Sequence, residues 1–423
     1  MKKPQKLNDV LGFKPMLNHF YSYTDHRTQL QYLLSGKEIT EDGFKAHLFG
    51  YQYRVCLNFK EIYDADGRYE KLYLQLNGRG VTSIDEALKE LDLLPLHTAI
   101  ENIFSGINLE KFREHLLYKE AKSKNDKSNF YLELLPAYKN LSDQIKEFTE
   151  IKFSSKKSEE RFQSDLIAAR EFYQMLIKYS DRKNVTKWML RTNSLLPVNS
   201  KPAVDQELAT LLIVLIIKYS FALPIKKDEL GKYFDELLFY KPISRILESF
   251  SANGNVHTKI ELIKVLLEFH YQSIRKLKSA ARIKDIKSSN IEEKQSNLVT
   301  NLNVLLDSKI VYNLLHVNEF DGITYFNKEN FEELLRWLLL FMILKLKEDK
   351  NIGDEKSFLK QIKNFISETD SIIIEAEKSS YDLNKLKGKI LKAGKTHKST
   401  DKKIRGKTVV KKTTKQRTKN KKR

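Results

Sequence analysis

Between Tyr51 and Lys60 the side chains alternate. Tyr51, Tyr53, Val55, Leu57 and Phe59 are apolar or aromatic, while Gln52, Arg54, Cys56, Asn58 and Lys60 are polar or small. A period of two, rich in aromatic and β-branched residues, predicts a strand over 51–59 with one buried face. Residues 44–48 are a second strand candidate. Residues 25–34 read as strand or helix, since their periodicity does not separate the two. Asp64-Ala65-Asp66-Gly67 predicts a turn, because Asp seeds local backbone hydrogen bonds and Gly accepts positive φ. Asn77-Gly78-Arg79-Gly80 predicts a second one. Ser83-Ile84-Asp85-Glu86 has the pattern of a capping box. Ile84, Ala87, Leu88 and Leu91 follow at helical spacing, and Pro95 is expected to close that helix.

From about residue 82 to 382 the pattern is helical. Helices are predicted over 109–121, 130–151, 160–179, 207–221, 230–249 and 258–274, with a polar loop at 122–128. The 207–221 stretch is apolar nearly all round, so it is expected at the centre of a bundle. Residues 275–297 are charged and poor in large apolar groups, which predicts a partly ordered connection or an exposed helix. Further on, Asp321-Gly322 predicts a turn and Asn327 an N-cap. The helix after Asn327 places Phe331, Leu334, Leu335, Leu338 and Met342 on one face, and Trp337, Leu340, Phe341 and Ile343 fill the rest.

The expected fold class is therefore mainly α: a helical body with a small N-terminal β element and a disordered basic tail. The divisions are 1–74 (remnant of a β-domain with orphan strands), 75–384 (a helical domain that could form two lobes joined near 275–297) and 385–423 (the tail). With only 15 Gly and 8 Pro in 423 residues, long helices fit better than a turn-rich all-β fold.

Charge changes the picture at one end only. Eighteen of the 75 Lys and Arg, but one of the 55 acids, fall in residues 385–423. That segment carries +17 of the net +20, and the first 384 residues are close to neutral. Its composition cannot bury enough apolar surface to offset chain entropy. The single cysteine, Cys56, excludes an intrachain disulfide and fits a reducing, cytoplasmic compartment; on an alternating strand it reads as a structural thiol. The longest apolar runs, 211–217 and 338–344, are too short to span a bilayer, and no secretory signal pattern is visible.

Candidate chemistry is sparse. Asp64-x-Asp66-Gly67 has part of a calcium-loop pattern but lacks the third oxygen ligand and the closing Glu, so a plain turn is favoured. Gly78-Arg79-Gly80 lacks the spacing of a phosphate loop. His316 and Glu319 have no third metal ligand at useful spacing. No metal, cofactor or nucleophile motif is expected to act here.

Two blocks carry a family resemblance. The first contains Asp25 to Tyr32, the 51–59 strand, Phe59-Lys-Glu-Ile-Tyr-Asp64, Leu76-Asn-Gly-Arg-Gly-Val81 and Ser83-Ile-Asp-Glu-Ala-Leu88. The second contains Val317-Asn-Glu-Phe-Asp-Gly322 and Tyr325-Phe-Asn-Lys-Glu329. Both resemble the C-terminal portion of long α-amylase-like proteins of glycoside hydrolase family 13, in which a catalytic (β/α)8 barrel is followed by a β-domain and a helical extension. The resemblance implies the non-catalytic helical region of an α-glucan-acting protein, either accessory to a barrel encoded elsewhere or a gene fragment. No counterpart of the family's catalytic carboxylates is found, and retaining hydrolysis needs two carboxylates facing the scissile bond. The chain alone is therefore expected to be inactive. The implied partners are a separately encoded barrel chain and an α-glucan, and no membrane. Tyr51, Tyr53 and Tyr325 are candidate sugar-stacking aromatics, against the reading that they are core or interface residues.

A second class of function is polyanion binding through the tail. Lys402, Lys403, Arg405, Lys411, Lys412, Lys421, Lys422 and Arg423 are its candidate contacts. The tail has no Phe, Tyr or Trp to stack on bases, so nucleic-acid binding would be weak, sequence-independent and salt-sensitive.

Overall fold

A computed structural model describes residues 10–45, 48–51, 53–117, 130–149, 155–179, 203–220, 229–250, 255–282, 298, 302, 305–348 and 355–390. The chain divides into two compact units, Met1–His97 and Thr98–Arg423.

The first unit is built on three antiparallel strands, β1 (His19–Asp25), β2 (Gln31–Ser35) and β3 (Cys56–Tyr63), in the order β2-β1-β3. Helices α1 (Gly36–Glu41), α2 (Arg68–Leu76) and α3 (Ile84–Asp92) complete it, and α4 (Leu94–Ile103) follows. One face of the sheet presents Phe20, Leu33 and Ile62 to Leu72, Leu76, Ile84 and Leu88 of α2 and α3. On the other face Tyr21 packs with Phe13 and Ile39 of α1. Each fully buried Leu or Phe here stabilises the unit by about 1.5–3 kcal/mol relative to exposure. Gln31 ties the edge of β2 to the approach to α3. Its backbone exchanges hydrogen bonds with Val81, and its Oε1 accepts the Ile84 amide at 2.8 Å.

Several local expectations hold. Asp64 closes its turn, with Oδ1 accepting from the Gly67 amide and Oδ2 from Glu70 at the start of α2. Ser83 caps α3, its Oγ accepting the Glu86 amide at 3.2 Å.

The strand expectations need correction. The central strand β1 was not anticipated. It is covered on both faces, so Phe20, Tyr21 and Tyr23 are all buried and no clean alternation marks it. Residues 25–34 are neither one strand nor a helix: Asp25 ends β1, a turn follows, and β2 begins at Gln31. The alternating 51–59 segment has no buried face. Tyr51 sits at φ 64°, β3 starts only at Cys56, and Tyr51, Tyr53, Val55, Leu57 and Phe59 are all exposed. Nor is this strand an orphan, because β1 pairs with it from Asp25↔Cys56 to His19↔Tyr63. The register slips by one residue opposite Tyr23, where Asn58 takes φ 57° and forms a bulge. Phe44, Lys45 and Leu48 lie outside any strand. Pro95 does not close α3; it lies in the first turn of α4, where its missing N–H costs nothing. The first unit extends past residue 74, because α2 and α3 supply Leu72, Leu76, Ile84 and Leu88 to the sheet's core.

The second unit is helical. It contains α5 (Gly106–Leu117), α6 (Phe130–Thr149), α7 (Ser155–Tyr179), α8 (Ala203–Ser220), α9 (Glu229–Glu236), α10 (Tyr240–Phe250) and α11 (Val256–Arg282). Then come α12 (Lys309–Leu314), a hairpin of β4 (Asn318–Phe320) and β5 (Ile323–Tyr325), α13 (Lys328–Glu348), α14 (Glu355–Lys378) and α15 (383–390). As its all-round apolarity predicts, α8 is central: Leu211 to Ile217 are buried, and α5, α6, α7, α10 and α11 pack on it. Asp321 and Gly322 both have positive φ, the geometry of a two-residue hairpin turn. Asn327 caps α13 through Oδ1, which accepts the Asn330 amide at 2.8 Å.

Two expectations about this unit change. The single helix expected over 230–249 is two, α9 and α10, separated where Leu238 turns to φ 48° and Phe239 is buried. The helical body also runs beyond 384. Asp382 Oδ1 accepts the Asn384 and Lys385 amides, and Leu383, Leu386 and Ile390 of α15 are buried. Of the connection expected over 275–297, residues 275–282 continue α11, while 283–297, the 122–128 loop and residues 391–423 lie outside the described residues.

Candidate functional site

The most organised polar-aromatic feature among the described residues is a cleft of about 170 Å3 on the first unit. Tyr23 of β1 and Tyr32 of β2 stack directly, with centroids 5.2 Å apart and planes 10° apart. Phe59, turned by the bulge in β3, covers the other face of Tyr23 at 5.4 Å, and Phe44 meets the Tyr23 edge at 5.4 Å. The Arg54 guanidinium lies over Tyr32 at 4.7 Å and over Tyr23 at 5.6 Å. Gly80 permits this stack, since a Cβ there would lie 2.7 Å from the Tyr32 ring.

Arg54 is oriented from below by Asp25. Arg54 Nε donates to Asp25 Oδ2 at 2.8 Å, and Asp25 Oδ1 accepts the amides of Arg27 and Thr28. Burial works against the Asp25 charge, but the turn amides and the guanidinium outweigh it and hold the carboxyl below its ordinary pKa. Burial pushes the Tyr23 hydroxyl up to about 12, with Arg54 opposing, so it stays protonated. Burial likewise raises the Cys56 thiol, which makes it a poor nucleophile at neutral pH. Across the cleft Glu38 accepts the Tyr73 hydroxyl, and burial first and Glu38 second raise Tyr73 to about 12.

The cleft can orient a small ligand by a planar cation, a carboxylate and aromatic walls. Among the described residues no group of three or more His, Cys, Asp or Glu could hold a metal ion. No helix among them is long and apolar enough to cross a membrane.

The structure puts Tyr51 and Tyr53 in the solvent-exposed segment leading into β3, beside Arg54 in sequence but not among the cleft residues. They are neither core nor buried interface residues of this chain. Tyr325 is half-buried in the second unit, where it pairs with Asn318 and bridges to Asp382. The tail candidates Lys402, Lys403, Arg405, Lys411, Lys412, Lys421, Lys422 and Arg423 lie outside the described residues.

Sequence reasoning did not single out Tyr23, Tyr32, Glu38, Phe44 or Arg54 as site residues. Tyr32, Arg54 and Asp25 do occur in the first resembling block, and that was the available signal. Neither a protein-family model, nor a curated protein, nor a solved structure matches this chain.

Proposed function

We propose that this chain is a non-catalytic accessory region of an α-amylase-family, α-glucan-acting protein. The two resembling sequence blocks motivate the reading. The observation that carries it is the solvent-facing apolar run before and along β3: Leu48, Tyr51, Tyr53, Val55, Leu57 and Tyr63 are each more than 40% exposed. Among the described residues β3 pairs only with β1, so its other edge keeps unpaired backbone groups. Such an edge invites strand addition or a covering partner. In this reading a barrel-bearing chain covers the edge, and Tyr51 and Tyr53 offer exposed rings to a glucan. The single, unbridged Cys56 makes a reducing, cytoplasmic setting part of the same proposal.

Two measurements test it. The purified chain should hydrolyse no α-glucan above a no-enzyme control; activity would refute the non-catalytic role. A barrel-bearing amylase chain from the same genome should co-purify with it and be lost on Leu57→Asp. Failure to co-purify would refute the docking role.

The charge segregation in residues 385–423 favours a second reading, polyanion binding. Filter binding of the intact chain and of one stopped after Ile390 separates the two. Equal retention of nucleic acid by both would dismiss the tail as a ligand site.

A further inference from the structure

The aromatic cleft has open charged groups that the accessory reading leaves unused. Arg54 enters it from the segment before β3, and Glu38 enters from α1, which follows β2 at the opposite edge of the sheet. Arg54 directs Nε to Asp25, and its Nη groups have no protein acceptor among the described residues. Glu38 receives the Tyr73 hydroxyl on Oε2, and its Oε1 has no protein donor among them. The rest of the lining is apolar or backbone, apart from the tyrosines and Lys45, which is paired with Asp42 at 2.7 Å.

This arrangement selects by charge and by shape. An Arg backed by two aromatic faces is weakly hydrated and presents a planar fork suited to a carboxylate. A carboxylate oxygen with no donor suits an ammonium. Among the described residues no Ser, Thr, Asn or Gln lines the cleft, so a ring of hydroxyls would be left largely unpaired on Leu34, Ile39 and Phe44. An uncharged polyol is therefore a poorer match than a compact molecule with opposite charges and an apolar body.

We propose that the cleft binds a free α-amino acid with an apolar side chain. Its carboxylate lies on the Arg54 fork, its ammonium on Glu38, and its side chain on Phe44, Leu34 and Ile39. The free volume of about 170 Å3 accommodates a side chain of leucine size. The proposal does not depend on the accessory role, and either can fail alone.

The test is calorimetric titration of the full chain with L-leucine, N-acetyl-L-leucine, L-leucinamide and maltose. L-leucine should bind saturably, and each singly charged derivative should bind at least about tenfold more weakly, the ratio expected for one charge-assisted contact. Glu38→Gln, at an exposed position, should lower leucine affinity to the N-acetyl-leucine level and leave N-acetyl-leucine unchanged. Arg54→Lys, checked for folding by circular dichroism, should lose affinity for leucine and for N-acetyl-leucine alike. If Arg54→Lys unfolds, the Glu38→Gln arm decides. Equal binding of leucine and its derivatives, maltose binding in place of leucine, or no saturable leucine binding would each overturn the proposal.

Discussion

Arg54 Nε donates to Asp25 Oδ2 at 2.8 Å, across 29 positions of sequence, and ties the segment entering β3 to the end of β1. Both sides of the contact are sheltered, with 7% of the Asp25 side chain and 22% of the Arg54 side chain exposed. Arg54→Ala should leave a buried carboxylate with only its two amide donors and cost the first unit about 2–4 kcal/mol. Hydrogen exchange at the β1 and β2 amides would report it; unchanged protection would show that the pair carries no stability. The Asp25 carboxyl is depressed in the fold, so its contribution is present above its unfolded pKa and lost as pH falls through the lower folded value. The loss belongs to the region below about pH 4.

Gly80 is required by the Tyr32 ring rather than by its own backbone torsion. A Cβ at 80 would approach two Tyr32 ring carbons at 2.7 and 2.9 Å. Gly80→Ala should tilt Tyr32 out of its stack with Tyr23 and destabilise the unit by about 1–3 kcal/mol. Pairing it with Tyr32→Leu should recover part of that loss. Equal loss in the single and double variants, read by thermal melting, would rule out the ring contact as the cause.

His115 of α5 is buried, with its Nε2 3.4 Å from the Leu166 carbonyl, and burial lowers its pKa from 6.5 to about 4. The unfolded chain therefore takes up a proton in a range where the folded chain does not. Stability of the helical unit should be unaffected by this residue above pH 7. It should fall by at most about 3 kcal/mol between pH 6.5 and 4, then level off. His115→Gln should remove this component of the slope. A melting difference between parent and variant that is the same at pH 7 and pH 4.5 would contradict a neutral buried imidazole.

Asp165 of α7 accepts from Lys218 Nζ at 2.6 Å and from the Tyr219 hydroxyl at 2.7 Å on α8, with 3% and 5% of the acid and lysine side chains exposed. Removing one partner strands a buried charge, so Asp165→Ala should cost about 3–5 kcal/mol. Asp165→Leu combined with Lys218→Met should be far milder, because apolar groups of similar volume need no partner. Denaturant melts of the three proteins would decide; a double variant as damaged as the single one would mean the pair itself contributes net stability.

The helical signals were legible because they are carried by residues a few positions apart. The stripe on α13, the all-round apolarity of α8, the Ser83 and Asn327 caps and the Asp321-Gly322 turn each depend on neighbours within one or two turns. The sheet was harder to read. In β1 both faces are covered, which removes the alternation that marks a strand. In the 51–59 segment a strong alternation misled, because Tyr51 leaves the extended region and the bulge at Asn58 breaks the period.

By itself the sequence determined a mainly helical chain, the identity of its most buried helices, the places of its turns and caps, and the segregation of its charge. Those properties follow from local periodicity, local hydrogen bonding and composition. Only the tertiary structure decided that Arg54, Tyr23, Tyr32 and Glu38 share one cleft, with Asp25 holding Arg54. It also decided that Tyr51 and Tyr53 face solvent and that the helical body runs to residue 390. Such contacts join positions tens of residues apart through strand register and sheet order, which no local pattern encodes.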